Sequence, residues 1–117
     1  GIVMAVGSAA IPFNIDFVLD NLNIRHYFKA IVSADDVVTS KPDPQTFLDC
    51  AALLHVAPAD CLVFEDAPKG VEAALNAGMR CVVITTMHTR DEFKNYNNII
   101  AYIGDYSLVS PKDFLDA

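Results

Sequence analysis

The chain has no tryptophan, only eight Lys and Arg against fifteen Asp and Glu, and three cysteines. Each shortage removes a class of function. A general nucleic-acid binder works through clustered Lys and Arg that release counterions, whereas the eight here are scattered in a chain of net charge -7. Cys50, Cys61 and Cys81 are odd in number, lack CxxC spacing and sit inside apolar segments. That argues against a disulfide framework or a zinc centre, and reads as reduced, buried thiols of a cytoplasmic protein. The apolar runs Ile2 to Val6 and Cys81 to Ile84 fall far below the roughly 20 residues of a membrane span, so the chain reads as soluble. There is no Gly-rich phosphate loop, nucleophile elbow or Cys/His pair. His26, His55 and His88 share no metal-ligand spacing and read as surface or packing residues.

What is present is a globular composition, 53% hydrophobic and 20% charged, in 117 residues, enough for one modest core. Ile2 to Val6 is a solid apolar run that suits a strand buried on both faces, ending at Gly7 and Ser8. Ile15, Val18, Leu19 and Leu22 then fall at helical spacing behind Pro12. Ala30 to Ala34 is a second short strand candidate, followed by the loop "DDVVTSKPDP". Pro44 opens a helix with Asp43 as its N-cap and Phe47, Leu48, Ala51 and Leu54 as its stripe. "CLVFE" is a strand; Val71, Ala74 and Leu75 mark a helix that Gly78 ends in a left-handed cap. "RCVVITT" is another strand, Thr89 and Glu92 form a capping box before a short helix, and "IIAYI" is a last strand. Ser110 and Pro111 open a terminal turn of helix. Strands alternating with helices, each strand a continuous apolar run, indicate an α/β domain with a mainly parallel sheet.

Ligands of such sheets bind beyond the carboxyl ends of the strands, which directs attention to Ser8, Lys41, the adjacent acids Glu65 and Asp66, and Thr85 with Thr86. Ser8 offers a hydroxyl in a small-residue turn that an anionic oxygen could approach, or simply caps a turn. Lys41, held extended by Pro42, is a point charge for a phosphate oxygen or carboxylate, or a solvated loop residue. Glu65 and Asp66 repel one another at a strand end, a cost that a hard divalent cation such as magnesium would offset. The alternative is that Asp66 caps the next helix and Glu65 is merely exposed. Thr85 and Thr86 read as strand-end and turn residues.

In order, "IVMAVGSAA", "SKPDPQTFLDCAALL" and "CLVFEDAPKGVEAALNAGM" resemble the later motifs of the haloacid dehalogenase-like hydrolase superfamily, in particular its β-phosphoglucomutase-like branch of sugar-phosphate phosphatases and mutases. The resemblance implies a Rossmann-like, three-layer α/β/α parallel sheet. It implies that Ser8 and the Ala9 amide bind the transferring phosphoryl group, that Lys41 balances charge on that group and on the nucleophile, and that Glu65 and Asp66 hold Mg2+. The implied substrate is a small phosphorylated metabolite such as a sugar phosphate, with no nucleic acid or membrane as partner.

Two departures accompany the resemblance. Where the family often continues the first motif with hydroxyl or amide side chains, this chain has Ala9, Ala10, Ile11 and Pro12. The family's nucleophile motif, DxDxT or DxDxV at the end of its first core strand, is missing, as is the substrate-selecting cap domain inserted after that strand. Asp35 and Asp36 are adjacent, Asp16 and Asp20 lie in a helix pattern, and Asp60 precedes its strand. In the family's sheet the nucleophile strand lies between the strands that would carry Ser8 and Glu65. Without it, those two neighbours face each other across a slot with unpaired backbone on both sides. The expectation is therefore that residues 1–117 are the later part of a haloacid dehalogenase-like core domain and that the isolated chain has no turnover. The other expectation is a degenerate, non-catalytic phosphate- or partner-binding domain of the same fold.

Overall fold

A computed structural model describes residues 2–86 and 88–104. The element order is β1 (Ala5–Gly7), α1 (Pro12–Asn21), β2 (Ala30–Val32), α2 (Gln45–Leu54), β3 (Leu62–Glu65), α3 (Pro68–Asn76), β4 (Arg80–Ile84) and β5 (Ile99–Ile103). All strand pairs are parallel: β1 with β2, β3 with β4, and β4 with β5. The fold is a parallel-sheet α/β fold, but its strands form two sheets, β1-β2 and β3-β4-β5. Among the described residues β1 pairs only with β2 and β3 only with β4, so each keeps one unpaired edge.

The core belongs mainly to the larger sheet. Cys81, Val82 and Val83 of β4 and Val71, Ala73 and Ala74 of α3 are fully buried, and Phe93 closes the end of this cluster. A central strand covered on both faces is a near-continuous apolar run, the pattern β4 shows from Cys81 to Ile84 after Arg80 at its start. Phe47 and Ala51 of α2 join the same cluster while α2 also packs on β1 and β2. This helix therefore couples the two halves.

Several boundaries differ from the sequence reading. The first strand is Ala5–Gly7 rather than Ile2 to Val6, because β2 offers a partner only three residues long. Ile2, Val3 and Met4 are exposed. In α1, Ile15 and Leu19 are buried as the spacing predicts, but Val18 and Leu22 are exposed. Only one side of α1 is covered, so half of the apolar spacing read from its sequence faces outward. Leu48 of α2 is likewise exposed, and Cys50 and Thr46 are buried instead. The helix after Thr89 is a 3-10 turn, Arg90–Phe93, with the predicted capping box: Thr89 N donates to Glu92 Oε2 at 2.8 Å. Gly78 ends α3 at φ +76°, as expected. The turn at Ser110 and Pro111 lies outside the described residues. No helix among the described residues is long and apolar enough to cross a membrane.

Candidate active site

The carboxyl ends of β1 and β3 converge on one cavity. It measures about 700 Å³, and Ser8, Ala9, Lys41, Glu65 and Asp66 all line it. That volume lies within the range of small-molecule sites.

Each residue is placed by its local structure. At the end of β1, Ser8 N donates to Val32 O at 2.9 Å, which pins the turn to β2. Ser8 Oγ accepts from Ala10 N at 3.0 Å, a serine turn that leaves the hydroxyl proton uncommitted. The Ala9 N–H makes no hydrogen bond among the described residues. Gly7, just before, is pressed against α2: a Cβ there would stand 3.1 Å from both Cys50 Sγ and Thr46 Cγ2. Burial pushes the Cys50 thiol up to about 11, and this inert sulfur is part of the packing behind β1 rather than a nucleophile.

Lys41 comes from the loop between β2 and α2, before a cis peptide to Pro42. The helix starts at Gln45, with Pro44 rather than Asp43 at the N-cap position; Asp43 Oδ1, one residue before, still accepts from Gln45 N at 2.9 Å. Lys41 crosses from there to the strand ends. Its Nζ donates to Gly7 O at 3.2 Å and to Glu65 Oε2 at 3.0 Å, and sits 4.6 Å from the centre of the Phe47 ring. The two paired side chains are 15% and 12% exposed, so this is a largely buried ion pair rather than a surface one. The solvated-lysine alternative is not what the fold adopts.

The adjacent carboxylates diverge. Glu65 lies back over Gly70 of α3, whose missing Cβ makes the room; a side chain there would overlap the carboxylate. Its Oε1 accepts from Asp66 N at 3.2 Å. Asp66 is exposed, and its carboxylate makes no hydrogen bond or ion pair among the described residues. It does not cap α3: the N-cap position is Ala67, with no side-chain cap. A carboxylate left free at the lip of a cavity, not used for capping, suits a hard cation that takes one or two carboxylates and completes its shell with water and phosphate oxygens. Among the described residues no group of three or more His, Cys, Asp or Glu could hold a metal alone, so these acids fit one side of such an ion.

Thr85 is the strand-end residue expected of it, with Thr85 N donating to Ile103 O at 2.8 Å and Oγ1 to the same carbonyl at 3.2 Å. Thr86 does line the cavity, as does Lys69, which the sequence reading passed over. A signal for Lys69 exists: it is a cation in the first turn of a helix, where the macrodipole disfavours one. His26 and His55 are exposed, and His88 Nδ1 lies 3.1 Å from Glu92 Oε1, a capping contact. Cys50, Cys61 and Cys81 are all free thiols.

A family model described as haloacid dehalogenase-like hydrolase matches residues 1–84. The chain belongs to that family. Among curated haloacid dehalogenase-like relatives, the fructose-1-phosphate phosphatase YqaB of Escherichia coli is 48% identical over 79 residues, covering 68% of this chain and 42% of that protein. A haloacid dehalogenase-like hydrolase domain-containing protein of Arabidopsis thaliana is 40% identical over 113 residues, covering 94% of this chain and 35% of that protein. This member of the family thus spans well under half the length of those relatives. Among solved structures, the β-phosphoglucomutase of Clostridium difficile superposes with a TM-score of 0.82 at 27% identity, over 98% of this chain and 48% of that one. CbbY of Rhodobacter sphaeroides, in complex with xylulose-1,5-bisphosphate, superposes at 0.76 and 29% identity over 86% of this chain and 46% of that one. The relatives include phosphatases of sugar phosphates and related compounds, so the parent family is enzymatic.

Proposed function

We propose that residues 1–117 are the later part of the core domain of a magnesium-dependent phosphoryl-transfer enzyme acting on a small phosphorylated metabolite, a sugar phosphate above all. The observation that carries this reading is the division of labour between neighbouring acids: Glu65 is bound to Lys41, while Asp66 faces the same cavity free of any partner. Free thiols fit a cytoplasmic protein.

In this reading the phosphoryl group enters between the Ser8 turn and Lys41. The Ser8 hydroxyl and the Ala9 N–H each have a proton to donate and would orient its oxygens. Lys41 offsets the charge that builds on those oxygens and on an attacking carboxylate; its place in a largely buried, low-dielectric setting makes that offset stronger than in water. Asp66, with the Glu65 oxygen not committed to Lys41, would hold Mg2+ on one side. When bound, that ion supplies charge neutralisation on the phosphoryl oxygens. The nucleophile is an aspartate on a strand between β1 and β3, from outside these residues, and its phosphorylated form is resolved by water or by a substrate hydroxyl. None of the residues described is the nucleophile or the general acid, and residues 1–117 alone have no turnover.

The test uses the full-length parent with fructose 1-phosphate and p-nitrophenyl phosphate, before and after chelation of divalent ions. Turnover that returns with Mg2+ and falls about 10²- to 10³-fold in Asp66→Ala is expected. A parent that behaves identically with and without the ion sinks the reading. The second reading, a non-catalytic phosphate-binding domain, draws on Ala9, Ala10, Ile11 and Pro12, which bring no polar side chain to the site.

A further inference from the structure

We infer that Lys69 is a specificity-determining residue that reads a second anionic group on the substrate, a phosphate or carboxylate remote from the phosphoryl group that reacts. The inference rests on the phosphoryl-transfer reading above.

The argument begins with the charges lining the cavity. Lys41 is largely buried and neutralised by Glu65 at 3.0 Å, so it belongs to the floor of the site. Lys69 lines the same cavity but is exposed, and it makes no hydrogen bond or ion pair among the described residues, not even with Asp66 three positions away. It is also in an unfavourable place. As the second residue of α3 it carries a positive charge where the backbone N–H groups already present one, a repulsion that an anion held at the cavity mouth would offset. Lys41 and Lys69 are the two cations of the cavity lining, and a phosphoryl group seated against Ser8 and Lys41 leaves Lys69 uncommitted. Of the other lining residues, Ser40 and Thr86 carry neutral hydroxyls and Asp66 a negative charge, so Lys69 is the cation that remains for a second anion.

The experiment compares kcat/KM of the full-length parent for fructose 1,6-bisphosphate and fructose 1-phosphate, in the natural protein and in Lys69→Gln. The ratio of the two is expected to fall about 10- to 100-fold, the worth of one hydrogen bond to a charged group. The loss should lie in KM rather than kcat, and Lys69→Arg should restore most of it. A ratio that stays within twofold overturns the inference, as does a loss falling equally on both sugars in kcat. If the parent turns over neither sugar, Mg2+-dependent turnover of p-nitrophenyl phosphate decides the catalytic reading separately, and the same ratio taken from calorimetric dissociation constants decides the role of Lys69.

Discussion

The two halves of the molecule are built to different standards. In the β3-β4-β5 half the central strand is buried along nearly its whole length, and α3 and Phe93 seal the cluster around it. In the β1-β2 half both strands have three residues, every residue of β1 is half-buried, and α1 turns Phe13, Phe17, Val18 and Leu22 to the outside. The difference teaches where a sheet gets its stability. A strand with neighbours on both sides and helices above it excludes water from every residue, while one with a single neighbour leaves half of its backbone and much of its covering helix exposed.

The contrast can be broken most forcefully at Phe93, which is fully buried. Phe93→Ala should lower stability by about 3–5 kcal/mol, read as a shift in the urea midpoint. Next comes the junction between the halves. Gly70→Ala should displace Glu65 from its seat and loosen its pair with Lys41, at a cost of about 1–3 kcal/mol together with a loss of phosphatase activity in the parent. Stability without activity loss would show that the Glu65 seat is not part of the site.

The buried thiols compare the halves by pH. Burial holds Cys50, behind β1, up to about 11 and Cys81, in β4, up to about 12, against 9.0 for a free thiol. The folded state keeps these protons longer than the unfolded state, so their contribution is complete below about pH 9 and is lost as pH rises through 11 to 12. Unfolding free energies from urea titrations should be level up to about pH 8.5 and then fall, on the order of 1 kcal/mol per pH unit. A level profile through pH 11 would contradict the burial of both. The smallest effect belongs to α1: Phe17 is 63% exposed, so Phe17→Ser should change stability by less than about 0.5 kcal/mol. A loss above 1 kcal/mol in the full-length parent would show that this face is covered there.

Much of this was legible before any coordinates. Solid apolar runs located β3, β4 and β5 because buried parallel strands need no polar alternation. Gly78 and the Thr89/Glu92 box were legible because caps depend on neighbours only a few residues away. The extent of α1 burial was not legible, since it depends on which elements cover the helix, which the helix sequence does not encode. The site was legible as a set of residues but not as an arrangement. Ser8, Lys41, Glu65 and Asp66 could be chosen from their places after strands. That Glu65 turns to a lysine 24 positions away while Asp66 stays free could not, because the pairing rests on a long-range contact and on the space left at Gly70. Lys69 escaped because a lone lysine in a helix's first turn gains meaning only once a cavity is seen beside it.

The Lys41 ammonium sets a count as well as a charge. An ammonium has three protons to give, and here two are spoken for, one by the Gly7 carbonyl and one by Glu65. One valence is left. Under the proposed phosphoryl-transfer reading, a phosphoryl oxygen or an attacking carboxylate above it would take that third proton or displace a bond that joins the ends of β1 and β3. Under that reading, ligand binding and the spacing of the two sheets would compete for the same hydrogen atoms.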